Sequence, residues 1–176
     1  MPDFTISPPP AARIILIMGV AGSGKTTVGR QLATELGWPY HEADDFHSAA
    51  NKAKMGRGEP LDDTDRAPWL AAIRAAMDAC VADSRSAVFT CSALKENYRR
   101  VLTAGRPEVR LVFLTGDRAL LEARLAARPG HYMKAGMLDS QLAILERPGD
   151  ALTLEVNATP TALVADIRRH LSLQAP

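Results

Sequence analysis

Cysteine is scarce in this chain of 176 residues: there are two, Cys80 and Cys91, and both sit among apolar neighbours. Two cysteines are too few for a disulfide scaffold, so they read as buried thiols of a reducing compartment. Charge of one sign is also missing, since 21 Lys and Arg face 20 Asp and Glu for a net charge of +1. That balance gives no reason to expect nucleic acid or an anionic membrane as partner, and any anion must be met by a local cluster. No apolar run nears the roughly 20 residues of a membrane span. The opening residues, Met1 to Ala12, contain Pro8-Pro9-Pro10 and no basic-then-apolar order. A flexible tail is expected there, and a signal peptide is not. Histidine and cysteine spacings of the zinc type are absent. A cytoplasmic protein is the expectation.

What is present is alternation. With 47% hydrophobic residues, the chain fits one globular domain, expected over residues 13–173. Apolar runs predict strands near Arg13–Met18, Pro39–Ala43, Ala87–Cys91, Val109–Leu114 and Leu152–Val156. Helical spacing predicts helices near Lys25–Leu36, Asp65–Val81, Leu94–Thr103, Ala119–Ala127, Met137–Glu146 and Thr161–Leu171. Such alternation implies a parallel sheet with right-handed crossovers, helices on both faces, and a ligand at the carboxyl ends of the strands. Two segments fit neither strand nor crossover helix. Residues 44–66 are polar, and residues 128–136 are basic, with Pro129 and Gly130. Each reads as an insertion that covers a site.

The most informative stretch is Gly19-Val20-Ala21-Gly22-Ser23-Gly24-Lys25-Thr26, which fills the pattern GxxxxGK followed by Ser or Thr. It follows the apolar run Ile14 to Met18 and opens a helical pattern. A buried strand, a glycine turn and a helix start aim backbone N–H groups at a phosphate. Lys25 can then reach the β- and γ-phosphates, and the Thr26 hydroxyl can hold Mg²⁺.

Asp44 and Asp45 stand just past the second strand. A carboxylate there can orient or deprotonate an attacking hydroxyl, or hold the metal through water; a loop acid or helix N-cap is the plainer reading. Because the third strand ends in Thr90-Cys91-Ser92, no separate metal-binding acid is expected from it, which adds weight to Asp44. His47 shares that polar loop, whereas His41 and His170 read as structural. Arg124 and Arg128 are four apart, a spacing that pairs them on one helix face and suits neutralising charge on a transferred group.

Taken together, the segments resemble the gluconate kinases, small P-loop sugar-acid kinases related to shikimate and adenylate kinases. The resemblance runs from about Ile14 to Val164. It rests on the glycine loop, on Ala43-Asp44-Asp45-Phe46-His47, and on Lys54-Met55-Gly56. It rests further on Gly58-Glu59-Pro60-Leu61-Asp62-Asp63 running into Asp65-Arg66 and Pro68-Trp69-Leu70. Cys91-Ser92-Ala93-Leu94-Lys95, Gly116-Asp117, Arg124-Leu125, Arg128, Gly130-His131-Tyr132, Ser140-Gln141 and Leu145-Glu146 complete it. The resemblance implies a three-layer α/β/α fold with a five-stranded parallel sheet in the order 2-3-1-4-5, a substrate segment at 44–66 and a lid at 128–136. It also implies transfer of the γ-phosphoryl group of ATP to the 6-hydroxyl of D-gluconate, with Mg²⁺, by a homodimer.

Carried over residue by residue, Gly19, Gly22, Ser23, Gly24, Lys25, Thr26 and Thr27 would hold phosphate, with Thr26 and Asp44 at the metal. Asp44 would meet the sugar hydroxyl. His47, Lys54, Arg66, Lys95 and His131 would contact the acceptor, a cation answering its carboxylate. Arg124 and Arg128 would face the phosphates, Lys134 would close with the lid, and Asn157 would lie beside the adenine. Family members usually carry Gly and Pro where this chain has Ala43 and Ser48. The first rival is a kinase of another sugar acid or shikimate. The second is a nucleotide-dependent switch or binding module. It would need Asn-Lys-x-Asp, which Asn51-Lys52-Ala53-Lys54 fails at its last position, and Asp-x-x-Gly, which occurs nowhere. A direct test of the phosphate loop is Lys25→Ala. ADP release should fall below about 1% of the parent rate through lost phosphate stabilisation.

Overall fold

The computed structural model describes residues 12–127 and 134–174. Five strands, β1 (Ile14–Met18), β2 (Tyr40–Glu42), β3 (Ala87–Thr90), β4 (Val109–Thr115) and β5 (Leu152–Glu155), form one sheet in the order β2-β3-β1-β4-β5. All four pairings are parallel. Seven α-helices are described: α1 (Lys25–Leu36), α2 (Ala49–Gly56), α3 (Asp63–Ala82), α4 (Glu96–Thr103), α5 (Arg118–Ala126), α6 (Lys134–Ile144) and α7 (Pro160–His170). A 3₁₀ turn at Ala43–Phe46 follows β2. The strand order is the one the resemblance implies.

Central placement explains why β1 is apolar throughout. Ile14 to Met18 are all fully buried, as expected for a parallel strand covered on both faces. Side chains alternate between the faces. Ile15 and Ile17 join Val28, Leu32, Leu121, Val164 and Ile167 on the face of α1, α5 and α7. Ile14, Leu16 and Met18 join Trp69, Ile73, Met77, Tyr98 and Leu102 on the face of α3 and α4. Trp69, Ile73, Met77 and Cys80, spaced three or four apart along α3, all lie in this core. Both cysteines are buried and free, and burial pushes the Cys91 thiol up to about 12.

Local signals set the helix ends. Gly37 closes α1 in the left-handed conformation at φ 65°, where a residue with a Cβ is disfavoured. The α3 start carries a reciprocal capping box: Asp62 accepts from Asp65 N at 2.8 Å, and Asp65 accepts from Asp62 N at 3.0 Å. That box moves the helix start back to Asp63 from the Asp65 expected. Within the polar segment 44–66 the structure adds α2, which the sequence did not reveal. Its eight residues are too few for a clear periodic stripe. Its start is nevertheless fixed by Ser48, whose hydroxyl accepts from Asn51 N at 3.1 Å.

Helix α1 crosses β2 and β3 at Gly29, where a Cβ would lie 2.6 Å from Thr90 Cγ2 and 2.9 Å from Tyr40 Cε2. Gly29→Ala should cost about 2 kcal/mol through overpacking, lowering Tm by roughly 4–8 °C in a thermal melt.

Candidate active site

The phosphate loop leaves the buried end of β1 and turns sharply enough to require glycine. Gly19 has φ 149°, and a Cβ on it would come within 2.5 Å of Leu114 O. Gly22 has φ 83° and lies so close to α5 that a Cβ would meet Leu121 O at 2.8 Å. Gly24, at φ 86°, is the N-cap of α1 and offers no capping side chain, so the helix start stays open to an anion. Lys25 Nζ donates to Val20 O at 3.1 Å, which holds the lysine back over its own loop. Ser23 is fully buried, and its hydroxyl has no hydrogen-bond partner among the described residues.

Beside the loop is a cleft of about 290 Å³ lined by Ser23, Gly24, Thr27, Arg124, Ala158 and Pro160, among others. Arg124 crosses it, donating to Val156 O, with Nη1 3.9 Å from where a Cβ on Gly24 would be. Asn157 is exposed just past β5, beside cleft-lining Ala158. A groove of about 330 Å³ near α7 is larger. It is shallow, is crossed by the Arg168–Glu35 ion pair at 2.9 Å and holds no glycine loop, so size alone does not mark the site. Helix α5 closes at Ala126. Arg128, His131 and the 128–133 part of the lid lie outside the described residues, as do the side chains of residues 134–136, Lys134 included.

On the other side of the loop stands the turn Ala43–Phe46. Trp69 Nε1 donates to Ala43 O at 2.7 Å, and the Trp69 ring stacks on His47 with centroids 4.5 Å apart and an angle of 8°. Two anchors on α3 thus hold the turn, leaving Asp44 and Asp45 exposed at the sheet edge. Burial pushes the His47 imidazole below its ordinary value; Asp44 opposes that shift, while Lys52 and Arg66 add to it. The fields of Asp44 and Arg66 therefore meet at His47. Those of Lys25, Asp44 and Glu42 meet at the Cys91 thiol, at the end of β3.

Arg66 and Lys95 form a cationic corner around Tyr98. Arg66 Nη1 lies 3.3 Å from the Tyr98 hydroxyl, and Lys95 Nζ lies 5.3 Å from the centre of its ring. Asp63 pairs with Lys95 at 3.0 Å and accepts from Tyr98. These contacts, Tyr98 foremost, hold the Asp63 carboxyl below its usual range. Lys54 is held in an ion pair with Asp65 at 2.6 Å that ties α2 to the start of α3.

An AAA-domain family model matches residues 14–148, from β1 to the turn before β5. The gluconokinase of Gluconobacter oxydans (strain 621H) is 41% identical over 165 residues, covering 92% of this chain and 93% of that protein. The chain belongs to the gluconokinase family. Among solved structures, an unliganded sugar kinase from Janibacter sp. aligns at TM-score 0.84 and 42% identity, over 92% of this chain and 95% of that one. A gluconokinase from Sinorhizobium meliloti 1021 aligns at TM-score 0.76 and 35% identity, over 94% and 99% of the two chains.

Within this gluconokinase-family site, sequence reasoning missed Glu42. Its carboxylate accepts from Thr26 Oγ1 at 2.9 Å, from Thr90 Oγ1 at 2.6 Å and from the Tyr40 hydroxyl. Tyr40 is pushed up to about 12, by burial first and by Glu42 beside it. The acid that β3 lacks is thus supplied by its neighbour β2, and β3 contributes the hydroxyl of Thr90. The available signal was a carboxylate at the carboxyl end of a strand, two residues before Asp44. Expecting the acid only on β3 concealed it.

The carboxylate that Thr26 meets is that of Glu42, whereas Asp44 lies on the following turn. A hydroxyl and a carboxylate make hard oxygen donors, a set that fits a divalent cation held mostly by phosphate and water. Glu42→Gln is expected to lower kcat about 100-fold. It should also raise the magnesium concentration needed for half-maximal rate, in a titration at fixed ATP. Unchanged magnesium dependence would detach Glu42 from the metal.

Proposed function

We propose that this chain is an ATP-dependent gluconate kinase, giving 6-phospho-D-gluconate and ADP. The observation that carries the reading is the convergence of three parts at the carboxyl ends of the strands. These are the open phosphate loop, the acid pair Glu42 and Asp44, and the cationic corner of Arg66 and Lys95. Membership of the gluconokinase family supports gluconate as the acceptor. The chain's cover of 93% of the Gluconobacter oxydans gluconokinase supports assigning it the same reaction.

In the reaction, the gluconate 6-oxygen forms a bond to the γ-phosphorus while the bond from that phosphorus to the β-bridging oxygen breaks. The acceptor proton leaves toward Asp44, and the electron pair of the broken bond stays with ADP. Phosphoryl transfer passes through a loose transition state, so positioning and charge neutralisation dominate. Asp44 therefore orients the hydroxyl at least as much as it takes the proton. Lys25 and the loop amides Gly22, Ser23, Gly24, Thr26 and Thr27 hold the phosphates, and Arg124, with Arg128, meets the charge that develops. The cleft between Gly24 and Pro160 takes the nucleoside, with Asn157 at its edge.

Magnesium, bound with ATP, neutralises the phosphate oxygens, and Thr26, Glu42 and Asp44 are the residues that would hold it. Arg66 offers a planar fork suited to the gluconate carboxylate, and Lys95 adds a second cation. His47 lies against the same turn. Lys54 reaches the acceptor by releasing Asp65, and His131 and Lys134 complete the lid. Two buried free thiols suit a reducing cytoplasm, and no described helix is long and apolar enough to cross a membrane. The resemblance to the family implies a homodimer, and we propose one here.

The test is ADP release with Mg·ATP against D-gluconate, other aldonates, shikimate and AMP, beside a no-acceptor control. Turnover with gluconate is expected, and turnover confined to another acceptor would move the substrate while keeping the kinase. Loss of all acceptor-dependent ADP would favour the binding-module reading. Arg66→Gln should raise the KM for gluconate about tenfold or more, the loss of one charge-assisted pair, with the KM for ATP little changed. Unaltered gluconate kinetics would remove Arg66 from the acceptor site.

A further inference from the structure

Helix α6 makes a contact that takes no direct part in phosphoryl transfer. The side-chain oxygen of Gln141 lies 2.6 Å from the backbone nitrogen of Ala21, so it accepts an N–H of the phosphate loop across 120 residues of sequence. Loop amides are the groups that hold phosphate. One that is bonded to a side chain is withdrawn from the ligand and instead fixes the loop's crest. Gln141 is itself well placed to do this. Leu138, one turn earlier, is fully buried in the core, and Asp139 pairs with Arg118 of α5.

The same stretch of chain is fastened again just beyond the helix. Glu146 N donates to Leu94 O at 2.9 Å, and the Glu146 carboxylate accepts from Glu96 N at the start of α4. Leu94 and Glu96 flank Lys95. That loop has little freedom of its own. Ala93 is held at φ 42°, and buried Arg99 donates to both Ala93 O and Leu94 O, at 3.1 and 3.0 Å. Residues 141–146 therefore hold the phosphate loop at one end and the Lys95 loop at the other.

We propose that Gln141 and Glu146 are positioning residues that jointly set the approach of the acceptor to the γ-phosphorus. Gln141 fixes the phosphate loop, Glu146 fixes the loop bearing Lys95, and the last turn of α6 keeps the two in register. This rests on reading Gly19–Thr26 as the ATP phosphate loop and Lys95 as an acceptor contact. A displacement of about 1 Å between reacting groups can cost about 100-fold in rate, so a tie of this kind acts on kcat.

The experiment is a double-mutant cycle with Gln141→Met and Glu146→Met, which keep length and remove the acceptor oxygens, plus Glu146→Gln, which keeps one. The parent is first tested on the acceptor panel, and the variants are then compared on whichever acceptor it phosphorylates. Failure of gluconate as substrate is thereby kept apart from failure of the positioning role. Rates are normalised to sites titrated with a tight-binding ATP analogue, so a folding loss does not enter the comparison.

Each methionine variant should lose about tenfold in kcat with both KM values within about threefold, and Glu146→Gln should recover most of the rate. The double variant should be little worse than the weaker single, because breaking either tie releases the same register. Unchanged kcat in Gln141→Met would overturn the proposal. So would a loss confined to the KM for ATP, or a double variant whose loss is the product of the singles. Should one methionine variant not fold, the kcat of the other single decides by the same criteria.

Discussion

The constraint on which the rest depends is that β1 has no exposed face. A strand buried on both sides cannot bend gradually into a surface loop. Its chain must turn within a few residues into the layer of helices above. Only glycine allows the turn at Gly19 and Gly22, because Leu114 O and Leu121 O leave no space for a Cβ. The turn that solves this packing problem also leaves the first amides of α1 without intrahelical partners. The same geometry that buries the strand thus makes the anion site, and the functional elements are arranged around that one exit.

Much of this was legible because it follows from local rules. The glycine pattern, the buried strand before it and the Gly37 stop placed α1 at its observed limits, Lys25 and Leu36. Alternation of strands and helices gave a parallel sheet, while the order β2-β3-β1-β4-β5 came from family resemblance. What was not legible depends on contacts between distant segments. Glu42 looks ordinary in sequence and becomes notable only when α1 brings Thr26 against it. Lys54 reads as a free cation near the site, yet Asp65, eleven residues on, holds it at 2.6 Å. Helix α2 was hidden because its length is near the shortest that a periodic pattern can reveal.

Moving the acid from β3 to β2 also redistributes polar burial. Thr90 is fully buried at the end of a central strand, where an unpaired hydroxyl would be costly. Glu42 supplies its acceptor, Tyr40 closes the cluster, and Gly29 leaves the space that lets α1 approach. Stability of the sheet edge and placement of the acid are consequently one arrangement. Each hydroxyl that satisfies Glu42 is itself satisfied by it.

The parallel stack of His47 on Trp69 has a spectroscopic consequence. The chain has two tryptophans, and of these Trp69 is 5% exposed and lies face to face with an imidazole on the turn that bears Asp44. A protonated imidazole quenches indole emission, and a neutral one does so far less. The ultraviolet fluorescence of the protein is therefore coupled to the charge and placement of that turn. An occupant that displaces His47 would change the emission without any label being attached.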